Sequence, residues 1–390
     1  MKIGLIGTWA LTGEHYYNLI EGLIDKSVSE VVLCDNNPAL KPEPVLKYSG
    51  LYLLEDAPEG EPQALHNIYK NITGKFPAFY ENYKEMLDNK QLDAVIIGTP
   101  QYLHAEMAVE TLLRKIPTLC EKPLGVSLKE VEDILKAAKE NDTLLQIGLE
   151  LRYLKVFEFV RQKLKENSLG EIKMAWGREF RGDWKQKPKT SPTEENPYGN
   201  WRFSKKHTGG SILEKLCHDL DVFYWLMDSE PIRATAYGGI DFFDSTKRDT
   251  IDNAVFIVEY ANKAKLSFEY CMAAPYSGRF KGRYMGLIGE KGMFDIDENA
   301  GKILHYETEL PGAETVYKNL NPKTIFGHHN GNCTLFAFKD FCEHVKKGKK
   351  QARYNPEDIW ITTKLCLALE ESIMNSGKTI ELDSWSPTEF

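Results

Sequence analysis

The greatest chemical promise in this 390-residue chain lies in three consecutive residues, Glu121-Lys122-Pro123. They follow a strand-like run, Thr118-Leu119-Cys120, and precede a helix start at Ser127. A lysine at the C-terminal end of a parallel strand faces the crevice where open α/β sheets bind ligands. The proline fixes its own φ and biases the residue before it away from the helical region. A lysine held in that way can act on a substrate proton. On a solvated helix the same residue would be surface charge.

A second constellation lies at the N-terminus. Gly4-Leu5-Ile6-Gly7 leads from a strand into a helix, where a dinucleotide's pyrophosphate would meet a helix N-terminus. Against the pattern G-x-G-x-x-G/A, the register Gly7, Trp9, Thr12 keeps only the first glycine. Trp9 stands where backbone normally approaches the phosphates, so its side chain must point away from the cofactor or lie over it. Asp35 ends the second strand. A carboxylate there accepts from the adenosine ribose hydroxyls and repels a 2′-phosphate, and Asn36 and Asn37 supply no cation, so the pattern favours NAD over NADP.

These residues need strand ends to position them, and the first third of the chain supplies an alternation of strand and helix. Strands are expected at Lys2 to Gly7, Glu30 to Asp35, Leu92 to Gly98, Thr118 to Glu121 and Leu144 to Gly148. Helices are expected at Glu14 to Ile24, Phe79 to Leu87 and Glu106 to Lys115. Ser127 and Glu130 make a capping box, followed by apolar residues at helical spacing. A polar, Pro-containing stretch from Asn36 to about Pro77 is too long for a simple connection and should contain helical turns. This alternation implies a mostly parallel, doubly wound sheet over residues 1–150.

From 151 to 390 the pattern changes. After a helix from Tyr153 to Glu166 come longer strands with period-2 alternation, Ala254 to Tyr260 and Lys265 to Tyr270, separated by a turn at Asn262-Lys263. Met285 to Ile288 and Gly292 to Ile296 flank Gly289-Glu290-Lys291, a hairpin pattern. The stretch 181–206, rich in Lys, Pro, Asn and aromatics, reads as a long loop at a site or a partly ordered one. A helix is expected from Glu357 to Met374. The fold class is therefore α/β, with an N-terminal doubly wound domain and a C-terminal α/β domain on an open, mostly antiparallel sheet.

Composition narrows the function. Net charge is −8, which argues against a nucleic-acid or polybasic membrane partner. No run is long and apolar enough to span a bilayer, and the N-terminus enters a strand without a signal-peptide pattern, so a cytoplasmic location is expected. The seven cysteines are scattered, form no C-x-x-C, and read as reduced core residues. No motif supports a metal.

With these features in view, the chain resembles the glucose–fructose oxidoreductase / inositol dehydrogenase / MocA family over nearly its whole length. Leu92 to Pro100 with His104, Leu119 to Leu124, Gln146-Ile147-Gly148 with Arg152-Tyr153, and Gly209-Gly210-Ser211 followed by Glu214, His218 and Asp221 carry the likeness, together with Gly289-Glu290-Lys291-Gly292. The resemblance implies a Rossmann domain binding NAD, with Gly7, Thr8, Trp9, Thr12, Asp35, Thr99, Pro100, His104, Glu121 and Lys122 along the cofactor. It implies oxidation of a secondary hydroxyl of a sugar, cyclitol or glycoside, and a homo-dimer or homo-tetramer.

On this reading Lys122 is the base that takes the hydroxyl proton as hydride leaves, its pKa lowered by partial burial and the nicotinamide's charge. His218, whose unperturbed pKa lies nearest neutrality, assists. Glu214, His218 and Asp221 fall at i, i+4 and i+7 on one helix face, with Glu214 where the family commonly has Asp. Arg152, Tyr153, Asp183, Trp184, Trp201, Arg202 and His329 are the expected substrate contacts. Two alternatives remain: an NAD-dependent glycoside-cleaving enzyme using transient oxidation, elimination and re-reduction, or a non-catalytic member whose cofactor site is altered at Trp9.

Overall fold

The computed structural model describes residues 1–8, 13–42, 62–182, 201–274, 282–297, 302–308, 312, 314–318 and 333–387. Trp9, Thr12, Asp183, Trp184 and His329 lie outside the described residues. The chain forms two compact units. The first comprises Met1–Gly125, Lys129–Tyr153 and Pro322–Glu357, and the second Val126–Leu128, Leu154–Asn321 and Asp358–Phe390.

In the first unit, six parallel strands run in the order β3-β2-β1-β4-β5-β6. They are β1 (Lys2–Ile6), β2 (Glu30–Cys34), β3 (Ala78–Tyr80), β4 (Ala94–Ile97), β5 (Thr118–Cys120) and β6 (Leu145–Ile147). β4, β5 and β6 are buried along their whole length, as expected where helices cover both faces of a parallel sheet. The strand order reverses between β1 and β4, which is where such sheets bind ligands beyond the strand ends.

The helix expected at Phe79–Leu87 is corrected. Phe79 and Tyr80 belong to β3, paired in parallel with β2, and the helix spans Tyr83–Asn89. Asn82 decides the boundary: its side-chain oxygen accepts from the Lys84 N–H at 2.8 Å, so the helix starts after it. The long 36–77 stretch holds a 3₁₀ turn, Pro38–Leu40, and a helix, Pro62–Thr73.

The two units are not two consecutive blocks of chain, as a boundary at 150 would make them. The helix Cys333–Lys346 belongs to the first unit, with Leu335, Phe338, Phe341 and Cys342 in the same apolar core as Ile3, Tyr16, Leu19 and Leu119. The Gln146 side chain donates to the Ala337 carbonyl at 2.8 Å, tying that helix to β6. This helix replaces water over an otherwise exposed apolar surface, which is the dominant favourable term in burial.

In the second unit, nine strands run β14-β13-β12-β11-β7-β10-β9-β8-β15. They are β7 (Ile172–Phe180), β8 (Pro231–Gly239), β9 (Asn253–Tyr260), β10 (Lys265–Cys271), β11 (Gly282–Gly289), β12 (Gly292–Asp297), β13 (Lys302–Glu307), β14 (Glu314–Lys318) and β15 (Ile380–Glu381). All neighbours are antiparallel except β7 and β10, which pair in parallel. The alternating burial of β9 and β10 matches a sheet with one covered face. Both expected hairpins are present. The helices Lys155–Lys165, Ser211–Met227 and Asp358–Met374 complete the unit, the first preceded by a 3₁₀ turn at Glu150–Tyr153 rather than starting at Tyr153.

Candidate active site

In the first unit, four groups converge at the ends of β1, β2, β5 and β6. Gly7 adopts φ +86°, and a Cβ there would lie 3.0 Å from the backbone of Gly98 and Thr99. Only glycine lets β1 turn so close to the end of β4. Thr8 follows, buried, donating to the Asp35 carboxylate through its backbone N–H at 2.8 Å and its hydroxyl at 3.1 Å. Asn37 N–H adds a third bond, at 3.0 Å to the other carboxylate oxygen. Asp35 thus locks the β1 loop to the end of β2 and keeps acceptor capacity for a further donor.

Glu121 is held at both carboxylate oxygens. Its Oε1 accepts from Nε2 of His15, on the helix Gly13–Ile24, at 2.6 Å, and its Oε2 accepts from the Lys122 N–H at 3.0 Å. Burial opposes the charged form. The hydrogen bond and field of His15, with Lys122, outweigh it and hold the carboxyl below its usual range. Gly148 makes room for it, since a Cβ there would sit 2.9 Å from the carboxylate. The Lys122–Pro123 peptide is cis.

His104 is buried with Nδ1 2.8 Å from the Pro123 carbonyl and Nε2 2.8 Å from the Thr99 carbonyl. Burial draws its pKa down while the two carbonyls, which only accept, pull the other way. Both nitrogens are committed to backbone, so His104 holds the Thr99-Pro100 loop against the Lys122 loop.

Glu150 was not foreseen. It is buried in the turn after β6, and its carboxyl is pushed up to about 8 by burial and by Glu121 and Glu14, against the pull of Lys122. Neither it nor His15 had a sequence signal beyond position. Glu150 lies inside the segment that carried the family likeness, and His15 sits on the first turn after the glycine loop.

Arg152 and Tyr153, two of the expected substrate contacts, lie in the 3₁₀ turn after β6. Both are buried in the first unit. The Tyr153 hydroxyl donates to Asp340 at 3.0 Å, and Tyr354 donates to the Arg152 carbonyl at 3.0 Å. Tyr153 also packs edge-on against Tyr354.

In the second unit, the helix Ser211–Met227 carries Glu214, His218 and Asp221, all buried. Its start is set by Glu370, whose Oε1 accepts from the Ile212 N–H at 2.9 Å. The preceding Gly210 has φ +110°, and a Cβ there would fall 2.4 Å from that oxygen, which accounts physically for the paired glycines. Three expected residues come together here: the Arg202 Nε lies 3.4 Å from Glu214, and its guanidinium stands over the Trp201 ring at 4.6 Å. Lys215 reaches the other Glu214 oxygen at 3.6 Å.

On another side of the same helix, buried Asp219 accepts from the Arg283 Nε at 2.9 Å. Glu179 lies 3.7 Å from Arg283 and 2.5 Å from Arg181. Burial raises the Asp219 carboxyl to about 7 despite Arg283. Asp219 and His218 serve different sides of this helix, because neighbours on a helix point in different directions. Among the described residues, no cluster of three or more His, Cys, Asp or Glu is arranged to hold a metal ion. No helix of the described residues is long and apolar enough to cross a membrane.

A six-stranded parallel sheet in this order, with a glycine turn after β1 and an acid after β2, defines a dinucleotide-binding α/β protein. Residues 62–149 match the oxidoreductase family's NAD-binding Rossmann fold, and residues 161–382 match its C-terminal alpha/beta domain. The chain belongs to this Gfo/Idh/MocA oxidoreductase family. It is 26% identical over 221 residues to the 2,7-anhydro-N-acetylneuraminate hydratase of Escherichia coli K12, covering 56% of this chain and 55% of that one. It is 24% identical over 306 residues to the scyllo-inositol 2-dehydrogenase (NAD(+)) of Bacillus subtilis 168, covering 78% and 81%. The chain spans about half the length of the first curated relatives it matches, 54–57%. A levoglucosan dehydrogenase solved with NADH and levoglucosan shares the fold, with TM-score 0.77 at 18% identity over 98% and 99% of the two chains.

Proposed function

We propose that this protein is an NAD-dependent dehydrogenase that oxidises a secondary hydroxyl of a sugar or cyclitol. The observation that carries the reading is Lys122, set at the end of β5 by bonds on both sides of it: His15 and Gly148 fix Glu121, and His104 fixes Pro123. Gly7, Thr8, Thr99 and Pro100 would line the cofactor, and Asp35 would take the ribose hydroxyls, which supports NAD over NADP. NAD, when bound, supplies the hydride acceptor. Lys122 takes the hydroxyl proton, His218 assists, and Glu214 with Arg202 orients substrate hydroxyls. Trp201 presents an aromatic face to sugar CH groups. Trp9, Thr12, Asp183, Trp184 and His329 remain proposals from the sequence.

The relatives support the substrate class, since their names include scyllo-inositol 2-dehydrogenase. Kinship with a hydratase supports a second reading, a redox-neutral reaction on a glycoside through transient oxidation. The exposed apolar residues Met174, Tyr237, Val255 and Ile257 on the nine-stranded sheet support a homo-oligomer through that face. The buried thiols suit a reducing compartment, the cytoplasm.

Purified protein should be stabilised thermally by NAD and should form NADH with at least one member of a panel of inositols, aldoses and glycosides. Lys122→Ala should abolish turnover and leave NAD affinity within a few fold. Retained turnover in that variant removes Lys122 from its role. Sugar release without NADH accumulation would favour the redox-neutral reaction.

A further inference from the structure

Oxidising an alcohol releases one hydride and one proton, and each needs an acceptor. The hydride has its acceptor; the proton on Lys122 needs a next carrier. Among the described residues of the first unit, Glu150 is a candidate. β5 and β6 pair in parallel with Cys120 opposite Ile147, and the Gly148 N–H donates to the Cys120 carbonyl at 2.8 Å. Lys122 and Glu150 therefore emerge from the ends of adjacent strands, two and three residues past that pair. The Glu121 carboxylate is seated over Gly148, two residues before Glu150. Glu150 is buried, so it is no ordinary surface acid.

We infer that Glu150 is a proton-relay residue that acts through Lys122, accepting the substrate-derived proton from its ammonium and passing it towards solvent. The inference rests on the proposed dehydrogenase reading. The balance is simple. The substrate O–H bond breaks and a proton binds the neutral Lys122 amine. That N–H bond then breaks in turn, and a proton binds a Glu150 carboxylate oxygen. Lys122 is thereby returned to the basic form, and no electrons move in either transfer.

The charged groups that act on Glu150 include Glu121 and Lys122 after β5 and Glu14 on the helix Gly13–Ile24. Two acids and burial disfavour its charge, and one lysine favours it. Its carboxyl, raised to about 8, can therefore take up and release a proton near neutral pH. A fully solvated glutamate would hold no proton there, because its pKa is about 4.3. His15 anchors Glu121, whose other oxygen accepts from the Lys122 N–H, so the Lys122 backbone is held while Glu150 changes charge.

The first arm of the test requires no substrate. Lysines of the full chain, saturated with NAD, are methylated reductively with a carbon-13 label, and the Lys122 signal is assigned by its loss in Lys122→Arg. Glu150→Gln should lower the Lys122 titration midpoint by about one pH unit. Glu150→Asp should restore most of it. An unchanged midpoint in Glu150→Gln overturns the inference, and Glu150→Leu replaces it in the same comparison if the amide variant does not fold.

The second arm follows NADH formation from scyllo-inositol, or from whichever polyol of the panel is turned over. Glu150→Gln should lose about tenfold in kcat near neutral pH, with KM little changed. Rising imidazole concentration should restore kcat in the variant and leave the parent unaffected. Turnover with an unaltered pH profile and no buffer rescue would overturn the relay while the dehydrogenase reading stands. A shifted Lys122 midpoint with no polyol oxidised would instead sink the dehydrogenase reading and leave the coupling of the two side chains established.

Discussion

Replacing His15 with alanine tests whether the His15–Glu121 pair holds the lysine loop. The bond is 2.6 Å long, with His15 4% and Glu121 21% exposed at the side chain. A hydrogen bond to a charged group contributes about 1.5–3 kcal/mol. The Glu121 side chain is about a fifth exposed, so the cost should fall near the lower end, about 1.5–2 kcal/mol. Urea unfolding of the parent, His15→Ala, Glu121→Gln and the double variant should give a coupling energy of about 1.5 kcal/mol in the first unit's transition. Glu121 has a folded pKa below its unfolded one, so its contribution is complete above the ordinary carboxyl range. That contribution is lost as pH falls through the depressed value, and the coupling should fade in acid. Strict additivity at neutral pH, within about 0.3 kcal/mol, would refute the reasoning. So would a coupling that grows on acidification.

Three further outcomes are expected. Gly7→Ala places a side chain at φ +86°, costing about 1–2 kcal/mol before any clash with Gly98, and should abolish the thermal shift produced by NAD. Arg283→Met leaves Asp219 buried without its 2.9 Å partner and should cost about 3–5 kcal/mol by denaturant unfolding; adding Asp219→Leu should recover much of it. Glu370 has a raised carboxyl pKa from burial, so ionising it in the fold costs stability that grows as pH rises from its unfolded towards its folded value. Glu370→Gln keeps an acceptor for Ile212 and should match or exceed the parent in melting temperature at neutral pH. Glu370→Leu, which loses the acceptor, should cost about 1–3 kcal/mol.

Much of this molecule was legible from its residues because the signals are local. Strand β4 is a run of apolar residues between breakers, and Asn262-Lys263 turns the chain between β9 and β10, with Lys263 at φ 67°. Glu121-Lys122-Pro123 was readable because a strand end and a proline restrict the backbone on either side. The Phe79–Leu87 error had a local cause too. Apolar spacing suited a helix, while the free edge of β2 took Ala78–Tyr80 as a strand, and Asn82 started the helix afterwards. The edge of β2 is a tertiary fact and has no trace in that segment.

What the sequence by itself determined was the parallel α/β class, the lysine at a strand end and the acid after β2, since each depends on backbone preferences over a few residues. Only the tertiary structure decided which charges meet. His15 and Glu121 are 106 positions apart. Cys333–Lys346 joins the first unit because an apolar helix face needs cover, and the nearest cover in space is not the nearest in sequence. Glu150 became chemically interesting for the same reason. A carboxyl's proton affinity is set by burial and by the charges around it, and both exist only once β5 and β6 lie side by side.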